Sequence, residues 1–446
     1  MLRSQLPKYW DHLRSSFWFL PSLMAGGAVA LAFGSVALDE SVPAQWLRAQ
    51  TWAYTGGAEG ASAVLGTVAG SMITIAGVVF SLTLVALSLA SSQFGPRLLR
   101  NFMRDTTNQV VLGTFVGTFL YCLLVLRTIR RADEGPFVPH LSVTLGVLFA
   151  IASLGVLIYF IHHVSVSIQA DEIVARVGAE LMLGIDRLYP AQGRDRAEPD
   201  WSEVELPAAF DREALAVPAA DDGYVQLIDL EMLVAVGAEA DVLIQVVRRP
   251  GRYAACGSPL AMVWPPSRVT DKLADRVSAA FVLGARRTPA QDVEFSVDQL
   301  VEIAARALSP GVNDPFTAMA CVDRLGSALC RLARRQMPSP YVRDGEDRIR
   351  LVTQPVAFAE VADAAFNQIR QYGRSSAAVT RRLLDTLAMI AAVARGPEQR
   401  AALLRHAEMI VRGAREALPE VQDRLEAEAR FEAASRPLRE PAPVLS

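Results

Sequence analysis

GASAVLGTVAGSMITIAGVVFSLTLVALSLASSQFGP, residues 60–96, runs for 37 residues without Asp, Glu, Lys or Arg. A bilayer is crossed by about 20 predominantly apolar residues, so this stretch reads as a transmembrane helix. Its hydroxyl residues are ordered. Thr67, Ser71, Thr74, Ser81, Ser88 and Ser92, with Val78 and Val85 completing the series, follow steps of 4, 3, 4, 3, 4, 3 and 4 residues. A period of about 3.5 keeps them on one stripe, facing one constant neighbour along the whole span. Three neighbours suit such a stripe: another copy of the helix, a water-filled pore, or a different span of the same chain. These six hydroxyls are therefore the candidate seam or pore-lining residues.

Three further segments meet the length and charge criteria, giving spans at Phe17–Leu38, Val64–Leu89, Val110–Leu126 and Leu141–Ile161. Arg3, Lys8 and Arg14 precede the first span, Asp39, Glu40 and Glu59 dominate the loop after it, and Arg97, Arg100 and Arg104 follow the second. The positive-inside rule then places both termini in the cytoplasm, against the opposing cluster Arg127, Arg130 and Arg131. Small residues recur four apart at Gly26, Ala30 and Gly34, at Gly66 and Gly70, and at Gly113 and Gly117. Such spacing lets helix backbones approach closely in lipid.

Gly95 and Pro96 end the second span, as a left-handed cap followed by a residue suited to a new first turn. The next segment places Arg97, Arg100 and Arg104 on one helical face, opposite Leu98, Leu99, Phe102 and Met103. This basic collar suits anionic lipid headgroups or, in a ring of copies, the mouth of a pore. The expected partners are thus the bilayer, its anionic headgroups and further copies of the chain. Nucleic acid is excluded as a partner because the residues after 168 are net acidic, with 34 Lys and Arg against 40 Asp and Glu.

The expected fold is a mainly α membrane protein, four transmembrane helices followed by a cytoplasmic α+β domain. Its parts are a membrane domain at 1–168, a stalk helix and irregular linker at 169–222, a small β-rich module at 223–266, a helical region at 267–434 and a disordered tail at 435–446. Short strands are expected at Tyr224–Asp229, Val242–Val247, Arg252–Cys256 and Leu260–Trp264, with another at Arg348–Thr353. Within the helical region, Arg286, Arg287, Asp292, Asn313 and Asp314 form a polar constellation. It suits either a ligand site or a buried turn held by caps and ion pairs, with Asp314 as N-cap before Pro315.

Cys122, Cys256, Cys321 and Cys330 lack metal-site spacing, as do the five histidines, so no metal and no cofactor is expected. No Walker loop, dinucleotide fingerprint, nucleophile elbow or HExxH sequence occurs, and the chain is not expected to be an enzyme. The spans as drawn contain no carboxylate or Arg of the kind that couples ions to substrate, which counts against a carrier.

The runs SMITIAGVVFSLTLVAL from Ser71, ASSQFGPRLLRNFMRD from Ala90 and RALSPGVNDPFTA from Arg306 resemble the hallmarks of a widespread bacterial family of predicted membrane proteins, a domain of unknown function. The resemblance covers nearly the whole chain except linker and tail, and implies the bacterial inner membrane. The leading expectation is an oligomeric channel or channel-like protein whose cytoplasmic domain acts as gate or vestibule. Its rival is a membrane-anchored sensor or scaffold whose cytoplasmic domain binds a ligand or protein.

Overall fold

The structure, a computed structural model, describes residues 18–41, 54–95, 106–130, 137–167, 169–191 and 206–439. The chain divides into two compact units, Met1–Glu172 and Ile173–Ser446. The first holds four helices long and apolar enough to cross a membrane. These are α1 (Phe19–Ser41), α2 (Ala58–Phe94), α3 (Thr106–Thr128) and α4 (His140–Ser167). With 37 residues, α2 is about 55 Å long, well beyond the roughly 30 Å of a hydrocarbon core. It stops where the sequence says it should, at Gly95, whose φ of 106° is a conformation that glycine adopts without strain.

The third span is the one the others pack around, and its small residues explain why. A Cβ at Gly113 would lie 2.5 Å from Met24 Sδ and 3.2 Å from Pro21 Cα, and one at Gly117 would lie 3.5 Å from Ala28 Cβ. Here the expected close approach occurs. In the other two helices it does not. Gly26, Gly34, Gly66 and Gly70 face open space, and Ala30 is exposed, so the first helix packs through Pro21, Ala32, Ser35 and Asp39 instead.

Asp39 also departs from the expected loop. It sits in the last turn of α1, buried, and its carboxylate accepts hydrogen bonds from Leu141 N (2.9 Å), Ser142 N (2.8 Å) and Ser142 Oγ (2.6 Å) at the start of α4. One helix thus caps the N-terminus of another, giving orphan amides a negatively charged acceptor. The Tyr121 hydroxyl of α3 ties into the same end, donating to Ser142 O and sharing a hydrogen bond with Ser35 Oγ.

The second unit begins with α5 (Ala170–Leu188), separate from α4 and not its continuation. It buries Ile173, Val177, Leu181 and Ile185, so it is a packed helix and not a free stalk. Gly178 allows this: a Cβ there would lie 3.1 Å from the Arg324 side chain. Residues 192–205 of the expected linker lie outside the described residues. Its end is ordered, as α6 (Phe210–Glu213) and β1 (Leu215–Pro218).

The region read as a β-module holds four strands and a helix: β2 (Gly223–Ile228), α7 (Leu230–Ala240), β3 (Leu243–Val246), β4 (Tyr253–Ala254) and β5 (Pro259–Trp264). After α8 (Asp271–Ala279) comes β6 (Phe281–Gly284), in a stretch read as helical. The rest are α9 (Val293–Ala307), α10 (Pro315–Ala333), β7 (Tyr341–Arg343), β8 (Ile349–Val352), α11 (Phe358–Gly373), α12 (Ala377–Ala391), α13 (Pro397–Ala417) and α14 (Val421–Arg439). The module is not confined to 223–266. One sheet has the order β1-β5-β3-β8-β7 and the other β4-β2-β6, with β3 and β8 the parallel pair. Pairing partners so far apart in sequence carry no local signal. The helix α14 also extends into the expected tail, burying Ser435 and Leu438; residues 440–446 lie outside the described residues.

Candidate functional site

The second helix has two opposite faces. Ala61, Leu65, Ala69, Met72, Ala76, Val79, Thr83 and Ala86 are buried. The upper four-helix core joins Leu65 and Ala69 to Tyr121, Cys122, Val125 and Val143, and the next joins Met72, Ala76 and Val79 to Val111, Phe115 and Phe160. Thr67, Ser71, Thr74, Val78, Ser81, Val85 and Ser88 are all exposed. At about 100° per residue, this stripe lies on the side of the helix away from the packing face. Of the three neighbours compatible with the sequence, another span of the same chain is thus not what the stripe meets among the described residues of this unit.

Three of the hydroxyls are satisfied locally. Thr67, Thr74 and Ser81 donate to the carbonyls of Ala63, Gly70 and Gly77 at 2.7–2.9 Å. This removes much of the cost of meeting lipid, while each oxygen keeps acceptor capacity for a neighbour. Around them small residues alternate with exposed bulky ones, Ile73, Phe80, Leu82, Leu84 and Leu89. Gly66, Gly70 and Gly77 flank the stripe, and a Cβ added at any of them meets nothing within 4 Å. Elsewhere the bundle exterior is bulky and apolar, with Leu31, Phe33, Ile151, Leu154 and Ile158 exposed. The side chain of Ser92, and the collar residues Arg97, Arg100 and Arg104, lie outside the described residues.

In the second unit the predicted constellation divides. Arg287 donates to both oxygens of Asp292 (Nε to Oδ2 2.7 Å, Nη2 to Oδ1 3.0 Å), pairs with Asp298, and lies over the Phe295 ring. Burial opposes the Arg287 charge, but the hydrogen bond and charge of Asp292 outweigh it and hold the guanidinium above its ordinary pKa. Asp292 is also the N-cap of α9, accepting from Phe295 N. Gly251, at φ 87°, leaves it room, because a Cβ there would fall 2.2 Å from Asp292 Oδ2.

Asp314 caps α10 through the amides of Phe316 and Thr317, as its place before Pro315 predicts, and Asn313 takes the left-handed conformation (φ 49°). Burial raises the Asp314 carboxyl, but the Thr317 hydroxyl and the two amides prevail and hold it below its ordinary pKa. Among the described residues no hydrogen bond or ion pair joins Asn313 or Asp314 to Arg287 or Asp292. Arg286 is exposed, and only its carbonyl is engaged, by Gln226 Nε2. Four of the five residues thus build two separate structural elements, an ion-paired cap (Arg287, Asp292) and a helix start (Asn313, Asp314), and Arg286 belongs to neither.

The family of predicted membrane proteins designated DUF2254 matches residues 14–389. The chain belongs to the DUF2254 family. The uncharacterized proteins Rv1290c of Mycobacterium tuberculosis and Mb1321c of Mycobacterium bovis are each 34% identical to this family member over 420 residues, which cover 93% of this chain and 79% of theirs. No solved structure matches it significantly. The family match spans both the membrane helices and most of the second unit, so the two belong together in this family.

The feature that sequence reasoning missed in the membrane unit is the Asp39, Ser142 and Tyr121 junction. Asp39 directly follows the apolar run, and Pro139-His-Leu-Ser142 opens the fourth span. Only their juxtaposition turns a flanking charge into a cap.

Proposed function

We propose that this protein is an inner-membrane oligomer of channel-like build, assembled through the exposed hydroxyl face of α2, with both termini and the second unit in the cytoplasm. One observation carries the reading. Of the eight positions that the sequence aligns, the seven described ones, Thr67 to Ser88, face away from their own bundle, in a surface that is otherwise bulky and apolar. Lipid makes no demand for small polar residues at a constant period, whereas helix association in membranes uses small residues and interhelical hydrogen bonds, at about 0.6 kcal/mol each. Copies gathered around an axis would set these stripes toward one another or toward water. The reading assigns no catalysis to the chain. The second unit then serves as gate or vestibule.

The test combines subunit counting in mild detergent with single cysteines at Thr74 and Ser81. Cross-linking between copies, or modification by a membrane-impermeant thiol reagent, is expected at these positions and not at Ile151 or Ile158 of α4. A monomeric mass, together with no ion flux from reconstituted protein under varied voltage, tension and pH, would sink the proposal.

A further inference from the structure

We propose that the cavity bounded by α11, α12 and α13 binds a small molecule carrying a phosphate monoester. The cavity has a volume of about 290 Å³ and is lined by Arg370 of α11, Arg374 at its C-cap and Arg412 of α13. Among the described residues none of the three has a carboxylate partner, although their neighbours do. Arg381 of α12 pairs with Asp423 and Glu426, and Arg405 of α13 with Asp363. Three guanidiniums gathered around one cavity, with no carboxylate paired to any of them among the described residues, favour an anion there.

Charge and shape narrow the ligand. Glu416 also lines the cavity and forms an ion pair with none of the arginines, so three cations face one anion. That surplus matches a phosphate monoester, which carries about −1.5 to −2 at neutral pH. Guanidinium forks suit its oxygens in bidentate fashion. The Thr380 hydroxyl, in the opening turns of α12, adds a polar group beside the positive end of that helix. Leu383 and Ile410 supply an apolar wall, and Gly413 leaves a bay in which a Cβ would meet nothing nearer than Arg374 Cβ at 4.0 Å. The site thus has room for an organic group as well as its phosphate. Glu416 is placed to accept a hydrogen bond from that group.

The same headgroup chemistry occurs in soluble metabolites and in phosphatidic acid, so the test uses both. The full chain in detergent is titrated calorimetrically with inorganic phosphate and with phenyl phosphate, and separately in mixed micelles with phosphatidic acid. Phenyl phosphate is expected to bind more tightly than inorganic phosphate if the ligand is soluble. Binding of phosphatidic acid alone would identify the lipid as the source of the phosphate.

Arg374→Gln and Arg412→Gln, both at exposed positions, are each expected to weaken binding about tenfold, the effect of one charge-assisted hydrogen bond. Gly413→Leu fills the bay on a helix that tolerates leucine better than glycine, and is expected to abolish binding with the fold retained. Arg415→Gln, also on α13 but outside the cavity lining and paired with Glu428 of α14, should leave binding unchanged. Failure of the folded wild type to bind any of the three probes overturns the proposal. So does unaltered binding in Gly413→Leu or in the Arg374→Gln, Arg412→Gln double variant.

Discussion

The two units treat polar side chains in opposite ways. In the second, charges are turned toward one another: Arg249 joins Glu294 and Glu360, Arg350 joins Asp344 and Asp241, and Asp186 joins Arg331 and Arg335. In the membrane unit the longest aligned set of polar residues, described from Thr67 to Ser88, turns outward, away from the other three described helices of that unit. Polar groups satisfied inside a fold report on how that fold is held. A polar stripe pointing out of an apolar surface reports on something beyond the protomer, and the three open arginines of the α11, α12 and α13 cavity belong to the same category.

The contrast is sharpest where removal of an inward group should hurt folding and removal of an outward one should not. Arg287→Ala leaves Asp292, whose side chain is 1% exposed, as an uncompensated buried charge. A loss of about 3–5 kcal/mol is expected in denaturant unfolding of the second unit. Within α2, Ala76→Leu overpacks the inner face and should destabilise the bundle by about 1–3 kcal/mol in detergent. Ser81→Leu, on the outer face, should stay within about 0.5 kcal/mol of wild type while dissociating the oligomer, read by light scattering. If Ser81→Leu instead unfolds the bundle, the outward placement of the stripe is wrong.

Asp39→Ala strips the start of α4 of its acceptor and should lower bundle stability by about 1–2 kcal/mol, measured by thermal unfolding in detergent. The smallest effect is expected on acid titration. Hydrogen bonds from Arg350 and from the Arg348 amide hold Asp344 down at about 2, against an ordinary value of 3.8. A depressed carboxylate contributes stability above its unfolded value and loses it as pH falls through the folded one. The unfolding midpoint of wild type should therefore drop between about pH 4 and pH 2, and that of Asp344→Asn should fall less over the same interval.

Local patterns were the legible part. The four spans, the Gly95 stop, the Asp314 cap and strands such as Leu243–Val246 and Pro259–Trp264 each rest on residues within one turn or one strand of each other. The helix Leu230–Ala240 escaped because its short apolar run sits among strands and resembles them. The constellation was legible as residues but not as a group. Arg287 and Asp292 are five apart and meet, whereas Asn313 and Asp314 are fixed by their own helix start.

By itself, the sequence determined that this chain has four helices long and apolar enough to cross a membrane and that one of them carries a hydroxyl stripe, because charge content and periodicity are properties of the string. Only the tertiary structure decided which way that stripe faces. A helix with two regular faces can pack through either, and the choice went to Ala61, Leu65, Ala69, Met72 and Ala76, whose side chains meet the third and fourth helices. Packing energy between helices, which no single helix contains, left the hydroxyls outside.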